Sequence, residues 1–242
     1  MYRNDLNKIP EKSITNKCII LDLDETLVHS YVENNSYDIS ALENLKIFSD
    51  PSNIDLRQRI YKITIDDVVH KKGTGNKTEM WGIIRPHVRE FLIACFSYFK
   101  VVIVWSAGRK NYVNAIVDYL FKDIKRPVVI YSFDDIEKLP NGTLIKPLSK
   151  LINNVPALNK YMSLKNSFIL DDRASVFQEP NLFNGIVIPP YKPAFNLRSL
   201  RSDDIALKQL IKWLMQPDII NCEDIRILDK TKIFEIPVTE NY

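Results

Sequence analysis

The chain has 242 residues, 45% of them hydrophobic and 26% charged, with a formal net charge of +3 at pH 7. That is ordinary for a folded globular protein, and the nearly balanced charge excludes the dominant basic field that gathers nucleic acid non-specifically, so no stable nucleic-acid binding is expected. Three cysteines, Cys18, Cys95 and Cys222, show no CxxC spacing, and two sit inside apolar runs, which excludes a disulfide framework and fits a reducing compartment, cytoplasmic or nuclear.

The first segment, "MYRNDLNKIPEKSITNK", lacks the apolar core of a signal peptide, and its acids do not suit a transit peptide. No apolar run approaches the ~18 to 20 residues that cross a bilayer, so a soluble intracellular protein without a membrane span is expected. "CIILDL" at 18–23 reads as a strand buried on both faces. It ends in Asp22, Asp24 and Glu25, whose mutual repulsion raises the free energy of the fold unless a cation offsets it. A blander local reading makes Asp24 and Glu25 the N-cap and first-turn acid of a following helix.

Residues 31–84 break the rhythm and read as a β-rich insertion after the first strand. Within it "RIYKITID" at 59–66 and "EMWGIIR" at 79–85 read as strands, joined by "DVVHKKGTGNK", whose glycines and polar residues suit a turn or mobile loop. Lys71, Lys72 and Lys77 at its tip are placed to offer basic contacts at an entrance.

Pro86 suits the first turn of a helix whose Val88, Phe91, Leu92, Cys95, Phe96 and Phe99 recur at three- and four-residue steps. "VVIVWS" at 101–106 is a second buried strand, followed by a helix with Val113, Ile116, Val117, Leu120 and Phe121 on one face. "PVVIYS" at 127–132, "SFILDD" at 167–172 and "GIVIPP" at 185–190 are further strands, and Leu207, Leu210, Ile211 and Leu214 mark a last long helix before a C-terminal extension at 216–242. "INNVPALNKYMS" suggests an added helix at the rim. The alternation predicts a single α/β domain over 1–242: a Rossmann-like parallel sheet with right-handed crossovers and helices on both faces.

Open parallel sheets bind ligands outside the carboxyl ends of their strands. Here those ends carry Asp22 and Asp24, Ser106, and Asp171 with Asp172, while Lys146 lies in the connection before the strand at 167–172. Carboxylates converging in one crevice call for a cation, and an all-oxygen donor set with no His/Cys cluster favours Mg²⁺. Magnesium in turn suggests phosphoryl transfer. Plainer readings stand beside these: Lys146 as a solvated charge with Lys138, Lys150 and Lys160 as competitors, Ser106 as the cap of a helix starting near Arg109, and His29 and His87 as structural or exposed.

The set of motifs is more specific than any one of them. "DLDETLVHS" resembles the DxDxT nucleophile motif of the haloacid-dehalogenase (HAD) superfamily, in the form used by phosphatases of the RNA polymerase II C-terminal domain. "IIRPHVREFL", "VVIVWSAGRKNYVNAIVDYL", "LIKPLSKL" and "FILDDRASVF" resemble the family's later motifs in order, across most of residues 17–215. The resemblance implies the HAD fold and a Mg²⁺-dependent phosphoserine or phosphothreonine phosphatase working through an aspartyl-phosphate. It implies Asp22 as nucleophile and Asp24 as proton carrier, with Asp24 also meeting Mg²⁺ through its backbone carbonyl. Ser106 and Lys146 would contact the phosphoryl group, Thr26 would orient the nucleophile loop beside it, and Asp171 and Asp172 would complete the metal shell with Asp22.

The implied partner is a phosphorylated protein, the polymerase tail among them. Two departures stand out: "DD" stands where small members have Asp-Asn, as in larger members, which bears on metal affinity, and "IYSFDDIEKL" offers Tyr131 and Ser132 where those small members place a phosphate-binding arginine, which bears on substrate. Other branches of the superfamily act on small phosphorylated metabolites or nucleic-acid phosphates, and a mitochondrial import receptor uses the fold for non-catalytic protein binding.

Overall fold

A computed structural model describes residues 6–32, 40–69 and 72–238. In chain order it contains β1 (Cys18–Leu21), β2 (Val28–Val32), α1 (Ser40–Asn44), α2 (Ile54–Arg59), β3 (Ile60–Val69) and β4 (Lys72–Ile84). There follow α3 (Val88–Tyr98), β5 (Val101–Trp105), α4 (Lys110–Leu120), β6 (Val129–Tyr131), β7 (Glu137–Lys138), β8 (Leu144–Ile145) and α5 (Leu148–Asn154). The chain continues through β9 (Ser167–Asp171), β10 (Gly185–Val187), α6 (Leu197–Leu200), α7 (Ala206–Leu214) and α8 (Pro217–Asn221).

The predicted Rossmann-like sheet is present: five parallel strands in the order β10-β9-β1-β5-β6. β1, β5 and the interior of β9 are apolar and wholly buried because both faces of the sheet are covered there. Ile19, Leu21, Val102, Val104, Phe168 and Leu170 point to the layer containing α3, α4 and α7, whereas Cys18, Ile20, Val101, Ile103 and Ile169 point to the side of α5. After β6 the chain returns to the far side of β1 to lay down β9. The strand order therefore reverses between β1 and β9, and the crevice above that pair is where such a sheet accepts a ligand.

The segment between β1 and α3 differs from expectation in three ways. Val28–Val32 is a strand, pairing antiparallel with β4 and completing a three-stranded sheet in the order β2-β4-β3. Residues 40–59 carry two short helices. The polar joint "DVVHKKGTGNK" is mostly strand, with Asp66 opposite Lys77 and Val69 opposite Lys72 around a bulge, because backbone pairing does not require apolar side chains. His70 and Lys71 lie outside the described residues, as does the side chain of Lys72, so the basic tip is not located.

Pro86 lies in the turn before α3 rather than in its first turn, because His87 takes a left-handed conformation (φ 64°) that breaks the helix between them. The helix expected over "INNVPALNKYMS" (152–163) does not form there: that stretch holds only the end of α5 and a single 3₁₀ turn at Pro156–Leu158, while α5 itself buries Leu148 and Leu151 against the sheet. Ile219, Ile225 and Ile233, beyond α7, are buried in the layer of α3, α4 and α7. Among the described residues no helix is long and apolar enough to cross a membrane.

Phe168 is fully buried on β9, with Phe99 and Trp213 ring centroids 6.3 and 5.9 Å away. Phe168→Ala is expected to cost about 3–5 kcal/mol in urea unfolding with little change in m. A loss below about 1 kcal/mol would mean that this helix layer does not pack on the sheet as described.

Candidate active site

The ladder of β1 continues one residue past the strand, Asp22 N donating to Leu170 O at 3.0 Å, which holds the Asp22 side chain over the β1/β9 crevice. The chain then turns sharply. Glu25 is left-handed (φ 57°), its N–H donates to Val28 O at 2.7 Å, and Leu27 N and Val28 N both donate to Leu23 O. The turn feeds β2 and not a helix, so Asp24 and Glu25 are not a helix cap pair. Glu25 O accepts from Tyr191 N at 2.7 Å, and its carboxylate lies 3.1 Å from His29 Nδ1, which holds it below the usual carboxylate range. His87 pairs with Asp203 at 2.7 Å.

Arg85, fully buried at the end of β4, fixes this turn from beneath. It donates to Thr26 O at 3.1 Å and Pro189 O at 2.8 Å, and forks onto Asp204 at 2.8 and 2.9 Å. Thr26 is itself fully buried, and its hydroxyl has no hydrogen-bond partner among the described residues.

At the centre is Lys146. Its ammonium donates to Asp22 Oδ1 and to Asp171 Oδ2, each at 2.6 Å, and all three side chains are buried. The competing Lys138 and Lys160 are exposed. Asn181, buried beside it, donates to the Lys146 carbonyl at 3.0 Å and so fixes the loop that carries the lysine. Asp171 Oδ1 also accepts from Arg173 N at 2.9 Å.

Carboxylate oxygens of Asp22, Asp171 and Asp172 lie within 4.8 Å of one another. The Lys146 ammonium, with the exposed Arg173 guanidinium 3.9 Å from Asp171, falls short of balancing three buried or half-buried carboxylates. Burial raises the proton affinity of Asp22, Lys146 opposes that rise, and Asp171 and Asp24 reinforce it. Asp172 is raised by burial and by Asp171. Burial alone would lower the pKa of Lys146, but Asp22 and Asp171 hold it above its ordinary value. A cluster of hard oxygen donors short of positive charge fits a divalent cation.

Asp24 stands apart from this trio. Its carboxylate accepts from Ser106 Oγ at 3.3 Å and from the Tyr112 hydroxyl, leaving its backbone carbonyl as the group it could turn to a cation. Burial raises its pKa against the lowering effect of the Tyr112 bond. Ser106 does not cap α4: its oxygen accepts from Gly108 N at 2.9 Å, closing the turn ahead of the helix, whose N-cap is Arg109. Tyr131 and Ser132 are both buried, and Ser132 forms a capping box with Asp135, so neither is presented to the crevice.

The sequence reading missed Tyr112, Arg85 and Asn181. Tyr112 lies in the first turn of the helix after β5, where an aromatic reads as core. Arg85 lies in the "IIRPHVREFL" motif, which marks the position but not its role; Asn181 acts through a backbone carbonyl and carries no local signal.

The model of the NLI interacting factor-like phosphatase family matches residues 17–226. The chain is 27% identical over 217 residues to a probable C-terminal domain small phosphatase of Dictyostelium discoideum, covering 89% of this chain and 55% of that protein. It is 28% identical over 159 residues to CTD small phosphatase-like protein 1 of Caenorhabditis elegans, covering 66% and 26%. The chain thus spans about half of the first relative and a quarter of the second.

Among solved structures it resembles Fcp1, an essential RNA polymerase II CTD phosphatase, with a TM-score of 0.53 and 20% identity over 82% of this chain and 46% of that one. The fission yeast enzyme bound to beryllium fluoride gives 0.54 and 19%, over 81% and 49%. At this identity the likeness is one of fold.

Two outcomes follow from the charge imbalance. A saturating divalent cation is expected to raise the melting temperature, by the equivalent of about 2.7 kcal/mol at 100 times its Kd, and Asp172→Ala to remove most of that gain. A wild-type melting curve indifferent to the cation would refute the assignment. Lys146→Met, which strands Asp22 and Asp171, is expected to cost about 3–5 kcal/mol in cation-free unfolding.

Proposed function

The chain belongs to the NLI interacting factor-like phosphatase family, and from that premise we propose that it is a Mg²⁺-dependent phosphatase of phosphoserine or phosphothreonine in proteins, working through an aspartyl-phosphate. The observation that carries this reading is the Lys146 ammonium shared at 2.6 Å by Asp22 and Asp171, with Asp172 beside them, above the β1/β9 switch point. Mg²⁺ held by Asp22, Asp171, Asp172 and the Asp24 carbonyl would supply the positive charge that lets an anionic nucleophile and an anionic phosphate approach.

Asp22 attacks phosphorus, forming a new O–P bond as the ester O–P bond breaks and its electron pair stays on the leaving oxygen. That oxygen takes its proton from Asp24. Water then attacks the aspartyl-phosphate, gives a proton back to Asp24, and Asp22 departs as carboxylate. The raised proton affinity of Asp24 suits this exchange. Lys146 offsets charge on Asp22 and on the transferring group, Ser106 turns its hydroxyl from Asp24 to a phosphoryl oxygen, and Thr26 supports the loop from within.

For the substrate, the relatives named for the polymerase C-terminal domain make a phosphorylated protein tail the first candidate. One observation favours a second reading, a small phosphorylated metabolite or a nucleic-acid phosphate. The 3₁₀ turn after β6 bears Asp134 and Asp135, with no cation where the resemblance would place a substrate arginine.

Hydrolysis of p-nitrophenyl phosphate is expected to require Mg²⁺ and to fall roughly 10³-fold or more in Asp22→Asn. No metal-dependent turnover, or full activity in the variant, sinks the enzyme readings together. A panel of phosphoserine and phosphothreonine peptides against phosphorylated metabolites and 3′-phosphorylated oligonucleotides, compared by kcat/KM, then decides between the two substrate classes.

A further inference from the structure

Asp24 is the end of a chain of hydroxyls. Tyr112 donates to Asp24 Oδ1, the Tyr112 oxygen lies 2.5 Å from Ser30 Oγ, and Ser30 Oγ lies 2.6 Å from the Tyr61 hydroxyl. A hydroxyl has one proton to give. With that of Tyr112 committed to the carboxylate, Ser30 donates to Tyr112 and Tyr61 donates to Ser30, so all three point the same way and reinforce one another.

The chain is built into the inserted sheet. Ser30 on β2, Gly82 on β4 and Tyr61 on β3 are cross-strand partners, and Tyr61 reaches Ser30 by passing over Gly82. A Cβ at Gly82 would overlap the Tyr61 hydroxyl and lie 2.5 Å from His29 O, so the crossing requires glycine there. Tyr61 and Tyr112 are 1% and 6% exposed, which shields both hydroxyls from competing water.

We propose that Tyr112, held by Ser30 and Tyr61, is a positioning residue that fixes the Asp24 carboxyl group, committing Oδ1 to the hydroxyl chain and leaving Oδ2 to exchange the proton with the leaving oxygen. This rests on the phosphatase reading of Asp24. Ser106 reaches Oδ2 at 3.3 Å, a long bond that a substrate can replace. In the step concerned, the proton passes from Oδ2 to the leaving oxygen as its bond to phosphorus breaks, and Asp24 is left as carboxylate with Oδ1 still receiving the Tyr112 proton. The inserted sheet thereby sets the geometry of the acid.

The test uses leaving groups that differ in their need for that proton. p-Nitrophenolate departs without protonation, and a serine alkoxide does not. Tyr112→Phe is expected to lower kcat on a phosphoserine peptide roughly 10-fold or more beyond its effect on p-nitrophenyl phosphate, with KM little changed, because general-acid assistance is worth at least that much. Ser30→Ala, which leaves both rings in place, and Tyr61→Phe are expected to act in the same direction by less. Equal losses on both esters, or none, overturn the proposal.

The chain can also be read without turnover. The buried Tyr112 hydroxyl proton is expected as a slowly exchanging ¹H NMR signal in wild type and in Asp22→Asn, and to shift in Ser30→Ala. Its absence from wild type, or indifference to Ser30→Ala, overturns the proposal. Should the wild type hydrolyse neither ester while the signal behaves as expected, the failure belongs to the phosphatase reading and the hydroxyl chain stands.

Discussion

The Lys146 ammonium between Asp22 and Asp171 is the interaction on which the rest of the site depends. Each carboxylate sits at the end of a central strand with no room to withdraw into solvent, and desolvating both is costly unless a cation is fixed between them. Lys146 comes from neither strand; it is delivered by the loop between β8 and α5, and Asn181 holds that loop by the lysine's own carbonyl. The reversal of strand order is what makes this possible. Because β1 and β9 are neighbours, Asp22 and Asp171 face one crevice, although the chain between them builds two other strands of the parallel sheet first.

The same logic of distant groups fixing short loops governs the turn after β1. Among the described residues Arg85 is the largest charged side chain fully buried, and its guanidinium is divided between backbone carbonyls of two loops and the Asp204 carboxylate. It ends β4, so the inserted sheet and the turn after β1 share one rigid joint. The insertion is thus joined to the site twice, through Arg85 below the turn and through Tyr61 and Ser30 beside Asp24.

What was legible in the sequence follows from this division. Strands buried on both faces announce themselves as apolar runs, so β1, β5, β6, β9 and β10 and their terminal acids could be read directly. Val28–Val32 could not, because it carries one polar edge, "HS", and takes its strand character from pairing with β4. The hairpin beyond Asp66 was hidden for a similar reason: its ladder is made of backbone groups, to which lysine, threonine and glycine side chains are nearly irrelevant. The hydroxyl chain was illegible in a different way. Tyr112 and Asp24 are 88 residues apart, and a tyrosine at a helix start reads as core until the partner strand is known.

Glu25, which follows Asp24 directly and had no evident role in the sequence, gains one from its contrast with that residue. With a left-handed backbone at Glu25, the two neighbouring carboxylates meet different partners. Asp24 is turned inward, where burial raises its proton affinity; Glu25 is turned to His29, whose hydrogen bond lowers it, with Lys192 and Arg173 adding to the effect. Environments that push neighbouring acids apart are how a single fold separates a proton carrier from a permanent anion. Of these two neighbours, Asp24 is the one suited to the proposed proton exchange. Glu25 closes the turn instead, its N–H donating to Val28 O and its carbonyl accepting from Tyr191 N, in a left-handed conformation between β1 and β2.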